Sequence, residues 1–269
     1  MGSDQVPEIT PVEFLGRPKP LADPSRIGRS FNGSRKIRLG DVDPQGRLRF
    51  DGLTRYTQDV SNDDTSEAEL PDSPGWVVRS TVVDELVPGS LGETLKFTTF
   101  CSGLGKRWAE RRLTVSGDHG ARYEVATVWV CVDASSGQPV NLTDQFLDIY
   151  GPPAAGRRAS ARLENPKLVD AQAQGAAVKT ESWQLRRVDF DTLGHVNNAA
   201  YWAAAEQWMG PFGRPRRARM EYGTGVSFAP EITIARYATD DVLVLWWQQD
   251  GTSAPAATTA VFPLPAGLY

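Results

Sequence analysis

Two histidines occur in the whole chain, and one of them stands in the stretch "DFDTLGHVNN", residues 189–198. Asp191 and His195 are separated by a short turn that contains Gly194. A carboxylate can act as general base to a water or attack an acyl carbonyl directly. An imidazole can polarise that carbonyl or carry a proton, and a glycine lets the backbone approach a substrate closely. If a helix begins just after the turn, the N–H groups of Gly194, His195 and Val196 sit at the positive end of its dipole, where a developing oxyanion is favoured. Together these groups suit hydrolysis at an acyl carbonyl. A plainer reading stands beside this one, with His195 bonding the turn and Asn197 and Asn198 serving as helix cap and tie.

The pattern occurs twice. In "DVDPQGRLRF", residues 41–50, Asp41, Asp43 and Gly46 precede Asp189, Asp191 and Gly194 by the same 148 residues, and Gln58 precedes Glu206 by that spacing too. Arg47 replaces the histidine in the first copy. Asp43 offers a carboxylate, a possible second site, but lacks an imidazole partner.

These turns need elements to hold them. β-Branched and aromatic runs at 75–86, 93–103, 106–117 and 121–133 are divided by "PGSLG", "GLG" and "GDHG", the chemistry of short turns. They predict an antiparallel meander. Strand texture returns at 178–187, 217–222, 231–238, 241–251 and 255–264. Apolar residues recur at helical spacing only in 47–62 and 197–210, the second with Asn198 as expected N-cap. The expected fold is α+β: two tandem units, each a curved antiparallel sheet around one helix. The expected boundaries are a loose tail over 1–30, an N-terminal unit over 31–150, a linker over 151–177 and a C-terminal unit over 178–269.

The doubled strand, "DxDxxGHVNN"-like turn and central helix resemble the hot-dog fold, and two copies in one chain resemble the acyl-ACP thioesterases of the plant and bacterial FatA type. The likeness extends over about residues 31–264 and includes "SGLGKRWAERRLTVSGDHGARYEVATVWVCVDASSGQPVNLTDQF" (102–146) and "RMEYGTGV". "GDVDPQG" also resembles the turn of single-domain hydroxybenzoyl-CoA thioesterases. The resemblance implies hydrolysis of fatty acyl thioesters without a cofactor or metal, in fatty acid biosynthesis. The family's D-x-N-x-H places its aspartate at Asp191 and its histidine at His195, while Leu193 stands in the asparagine's place. A further family glutamate falls at Gly225. Glu206 lies where other hot-dog thioesterases carry a helix acid, so it is a candidate to complete the site, or else a salt-bridged helix carboxylate. The first unit is expected to hold the acyl chain, with Phe50, Leu53, Tyr56 and Trp76 as candidate lining or as plain core.

Net charge is −4, which argues against a nucleic-acid binder. Two basic clusters, "GKRWAERR" and "GRPRRARM", are either solvated strand faces or a dock for an acidic carrier. Lys106, Arg107, Arg214, Arg216 and Arg217 are the candidates for meeting acyl carrier protein, or the phosphates of coenzyme A. Cys101 and Cys131 are expected to be buried, reduced thiols. With no long apolar run and no leader-like segment, the expectation is a cytoplasmic protein, monomeric or homodimeric. Two other activities remain open at this point: a hot-dog hydratase acting on an enoyl thioester, and a non-catalytic binder of acyl groups or their carrier protein.

Overall fold

A computed structural model describes residues 15, 19–23, 27–70, 74–192, 194–210, 214–226, 231–249 and 254–269. The first half contains β1 (Ser30–Lys36), α1 (Phe50–Glu67), β2 (Gly75–Val87), β3 (Thr94–Leu104), β4 (Trp108–Gly117) and β5 (Arg122–Val132). Two helices, α2 (Asp144–Ala154) and α3 (Leu168–Ala173), lead to the second half. There follow β6 (Lys179–Gln184), α4 (Asn198–Ala205), β7 (Arg216–Tyr222), β8 (Glu231–Ala238), β9 (Leu243–Gln248) and β10 (Ala257–Pro263). No helix of the described residues is long and apolar enough to cross a membrane.

The strands form one ten-stranded antiparallel sheet in the order β1-β3-β4-β5-β2-β7-β10-β9-β8-β6. Each half repeats one strand order, and the second runs in mirror sequence to the first. The halves therefore meet at β2 and β7 across a pseudo-twofold axis. The two central helices lie together on the concave side, with the Phe50 ring stacked on Trp202 at 5.6 Å. A single apolar cluster runs from Leu53 and Val60 through Trp202 and Met220 to Trp247. Two tandem hot-dog units thus share one core.

The seam is not apolar throughout. β7 is buried along its whole length although it reads "RRARMEY". A strand covered on both faces can carry arginine only if each guanidinium finds an anion. Arg217 forms a two-pronged pair with Asp84, both bonds 2.6 Å, and Arg216 pairs with Glu85 at 2.8 Å. Arg219 reaches Glu164 at 2.6 Å and Asn165 at 2.7 Å. In the first half, buried Arg111 pairs with Asp64, and Arg112 with Glu124. The expectation of solvated basic strand faces therefore fails for these arginines.

The tail and linker also differ from expectation. Leu15 is buried against Ala171, Trp246 and Phe262, and the Lys19 carbonyl accepts from Arg217. The parts of the tail that are described are packed. The region read as linker begins inside α2, whose Thr143 hydroxyl accepts the Phe146 N–H as an N-cap. It then crosses the seam, where Glu221 accepts the N–H groups of Glu164 and Asn165. Prolines 152 and 153 in the last turn of α2 disguise it as a breaker sequence.

Removing one partner of a buried, bidentate pair strands the other charge. Arg217→Ala should lower the unfolding free energy by about 3–5 kcal/mol, read by urea denaturation. The double replacement Arg217→Met with Asp84→Leu should recover much of that loss.

Candidate active site

The two copies of the turn fold alike. In the first, Asp43 N–H donates to the Arg47 carbonyl (2.8 Å) and Gly46 N–H to the Asp43 carbonyl (2.9 Å). In the second, Asp191 N–H donates to the His195 carbonyl (2.8 Å) and Gly194 N–H to the Asp191 carbonyl (3.1 Å). Gly46 and Gly194 have φ of +80° and +76°, the left-handed region that glycine enters freely. Arg49 N–H and Asn197 N–H bond the carbonyls of Asp41 and Asp189 and so set the start of each central helix. The helix cap is Asn197, not Asn198: its side chain accepts the Ala199 N–H at 2.9 Å.

This bonding corrects one expectation. The N–H groups of Gly194, His195 and Val196 are not open to an oxyanion. They go to the Asp191 carbonyl, the Asp191 carboxylate (3.2 Å) and the Val226 carbonyl (2.9 Å). Beyond the Asn197 N–H, which the Asp189 carbonyl takes, comes the Asn198 N–H in the first turn of α4, and no acceptor among the described residues meets it. The Asn198 carbonyl is fixed by the Tyr222 hydroxyl (3.2 Å), which in turn accepts from Trp202 Nε1 (3.1 Å).

Asp191 is half-buried and His195 is exposed. Their turn lies against Gly225: a Cβ built there would sit 3.3 Å from the imidazole Cδ2. Position 225, where the resemblance placed a glutamate, thus faces the histidine, and glycine leaves that space open. Behind the turn, burial pushes the Tyr201 phenol up to about 12, with the Asp191 charge adding to the effect. Leu193 lies outside the described residues.

Glu206 is elsewhere. It sits at the far end of α4 from Asn197, roughly 13 Å away at about 1.5 Å per helical residue. Its carboxylate accepts the Phe50 N–H at the start of α1 (2.5 Å) and the Arg47 guanidinium (2.7 Å). Arg47 also holds Asp43 at 2.9 Å. Burial pushes Glu206 up, and the charge of Arg47 and the Phe50 N–H oppose that. For Asp43, partial desolvation is outweighed by the Arg47 and Gln45 N–H groups and the guanidinium, which hold it below the usual carboxylate value. Asp43 and Glu206 therefore belong to a closed ionic cluster in the first copy. Glu206 does not complete the Asp191–His195 site, and Asp43 is tied up rather than free to act on a substrate.

By the same pseudo-symmetry Gln58 belongs at the second turn. It lines a cleft with Phe190, Asn197, Ala199, Arg55 and Arg186. It also borders an inner space between α1 and the sheet, lined by Asn198, Thr81, Thr127, Trp129 and Tyr222. Ser61 and Trp129 line both that space and a second, partly open chamber walled by Trp76, Cys101, Phe146 and Tyr150. Of the expected acyl-lining residues, Trp76 lies in this chamber. Phe50 and Leu53 are core instead, and the Tyr56 hydroxyl donates to Asp41 at 2.6 Å. From the sequence, Gln58 was named only as the repeat partner of Glu206, and Trp129 and Phe146 were not singled out. The 148-residue offset pairing Gln58 with Glu206 was the signal that could have found the first.

Of the expected docking residues, Arg216 and Arg217 are buried in the seam and cannot meet a partner. Lys106 and Arg107 are exposed, and Arg214 pairs at the surface with Asp241. Trp108 is level with Val77 and Arg216 with Glu85. The two clusters therefore lie roughly 26 Å apart along β2, at about 3.3 Å per residue. They do not form one patch. Exposed Arg186 and Arg187, just before the turn, stand nearer the candidate site.

Comparison with known proteins agrees with this architecture. The profile of the acyl-ACP thioesterase N-terminal domain matches residues 28–150. An uncharacterised protein of Mycobacterium tuberculosis is 31% identical over 83% of this chain and 88% of its own length. An acyl-ACP thioesterase from Bacteroides thetaiotaomicron superposes with a TM-score of 0.65 at 15% identity, covering 87% of this chain and 97% of its own. The 12:0-ACP thioesterase from Umbellularia californica gives 0.67 at 16% identity over 87% and 93%. This chain belongs to the acyl-ACP thioesterase family. It is, by that membership, a thioester hydrolase of the double hot-dog type.

Two outcomes follow. Glu206→Ala should cost about 3 kcal/mol of stability because it removes one anion of buried Arg47 and the acceptor of the Phe50 N–H, whereas Asp191→Asn should change stability by about 0.5 kcal/mol or less, both by thermal unfolding. Asp43, with its lowered pKa, stabilises the fold above the ordinary carboxylate range, and that contribution is lost as pH falls through its folded value. Asp43→Asn should therefore be less stable at neutral pH and show a shallower loss of stability on acidification.

Proposed function

We propose that this chain hydrolyses fatty acyl thioesters of acyl carrier protein, releasing free fatty acid during fatty acid biosynthesis in the cytoplasm, and that only the second turn reacts. The observation that carries this is the contrast between two equivalent N–H groups. In the first copy a carboxylate, Glu206, already caps the Phe50 N–H. In the second, the Asn198 N–H meets no acceptor among the described residues, and Asn198 borders the inner space between α1 and the sheet.

The thioester carbonyl oxygen is placed on the Asn198 N–H, at the positive end of α4, where negative charge is stabilised as the carbonyl is attacked. Asp191 takes a proton from a water, and the water oxygen bonds to the carbonyl carbon. The tetrahedral species collapses by breaking the C–S bond, and His195 supplies the proton that the leaving thiolate takes. The acyl chain runs past Gln58 and Trp129 toward Trp76 and Phe146. Arg186 and Arg187 would meet the phosphate of the pantetheine arm, whereas the sequence had offered Lys106, Arg107, Arg214, Arg216 and Arg217 for meeting the carrier. Acyl-CoA carries a similar arm and remains the second reading.

A panel of acyl-ACP and acyl-CoA thioesters with a thiol reagent tests this. Asp191→Ala should reduce kcat/KM by at least about 100-fold, while Asp43→Asn, assayed well below its unfolding temperature, should stay within about threefold. Full activity in Asp191→Ala, or no thiol release from any thioester, refutes the proposal.

A further inference from the structure

The indole Nε1 of Trp129 is fully buried and has no hydrogen-bond partner. Such an orphan donor costs on the order of 1–3 kcal/mol, so its retention calls for an acceptor that the protein itself does not provide. Trp129 stands between the inner space beside Asn198 and the chamber, and it lines both. The neighbouring hydroxyls do not serve it. On α1, Thr54, Thr57 and Ser61 donate to the carbonyls of Phe50 (2.9 Å), Thr54 (2.9 Å) and Thr57 (2.7 Å), so their protons turn back into the helix. Across the passage, Thr127 donates to Thr81. Oxygen lone pairs therefore line this space, together with the Trp129 and Asn198 N–H groups that no described residue accepts. A saturated hydrocarbon chain would leave the Trp129 N–H without an acceptor.

We infer that the passage selects acyl chains carrying an oxygen substituent, hydroxyl or oxo, a few carbons from the thioester, with that oxygen accepting from Trp129 Nε1. A hydroxyl would in addition donate to a lone pair such as that of Ser61. Ser61, which flanks Trp129, is one helical turn beyond Gln58, about 5 Å along α1. That spacing puts the oxygen near the reacting end and leaves the apolar chamber of Trp76 and Phe146 for the remaining chain. The inference rests on the thioesterase reading for its substrate and on the orphan indole for its selectivity.

The test compares saturated, 3-oxo, 3-hydroxy and 5-hydroxy acyl thioesters of one chain length with the full chain and with Trp129→Phe, which keeps a ring and removes the N–H. At least one oxygenated substrate should have a kcat/KM about tenfold or more above the saturated one, and Trp129→Phe should erase that preference, as loss of one such hydrogen bond implies. Activity on the saturated substrate should fall less than activity on the oxygenated one, and the folding of the variant is checked independently by circular dichroism and thermal unfolding. Equal activity on all chains, or equal losses on all in Trp129→Phe, overturns the inference. Binding is measured separately with non-hydrolysable acyl-pantetheine thioethers, following the Trp129 indole N–H resonance by NMR. If no thioester is cleaved, the hydrolase reading fails, while a downfield shift with oxygenated thioethers alone still supports this inference and its absence overturns it.

Discussion

Glu206 accepts the Phe50 N–H and the Arg47 guanidinium together, and much of the molecule's asymmetry follows from that contact. A buried helix start leaves donors that need an anion or a dipole. In the first half a side chain from the second half fills that need permanently. The bond welds the two central helices, locks Arg47 onto Asp43 and removes the first turn from chemistry. In the second half Gln58 stands in the matching place without charge, and the N–H at the helix start is left uncapped by the described residues. The same pseudo-twofold geometry thus yields a structural clamp at one end and a candidate reaction centre at the other.

The sheet supports this arrangement by a costly route. β7 is central and fully covered, yet it carries three arginines, each matched by an acid from β2 or from the segment that crosses the seam. Hydrophobic residues of similar volume would often serve stability as well or better. What paired charges add is directionality. Arg217 fits Asp84, and Arg216 fits Glu85, in one register only. A slip of the β2–β7 ladder would leave several buried charges unpaired at once.

The sequence was most legible where one physical signal dominated. The long β-branched runs became β2 to β5 within a residue or two, because alternation and β-branching agree there. The repeat was visible because the turn needs aspartate and a left-handed glycine at fixed spacing. β1, "SFNGSRK", alternates exposed and half-buried positions with small polar residues and gives no such signal. α2 was hidden by its prolines, and α1 runs on through "DDTSE" because those residues face solvent or, like Asp64, pair with buried arginine. The site was half legible. Asp191, His195 and Gly194 do share one turn, but its backbone donors are taken by Asp191 and Val226, and the fate of Glu206 depends on Arg47 and Phe50, more than 150 positions away.

The join between the halves has a consequence for how this chain can change. In a dimer of identical subunits every substitution appears twice, so an arginine that closed one reaction centre would close both. Covalent fusion of the two units breaks that constraint. Arg47 could arise in one copy without its counterpart in the other, and the polar passage beside Trp129 could be shaped on one side alone. Further divergence of the first half can proceed through its chamber wall, residue by residue, while the residues around the second turn stay as they are.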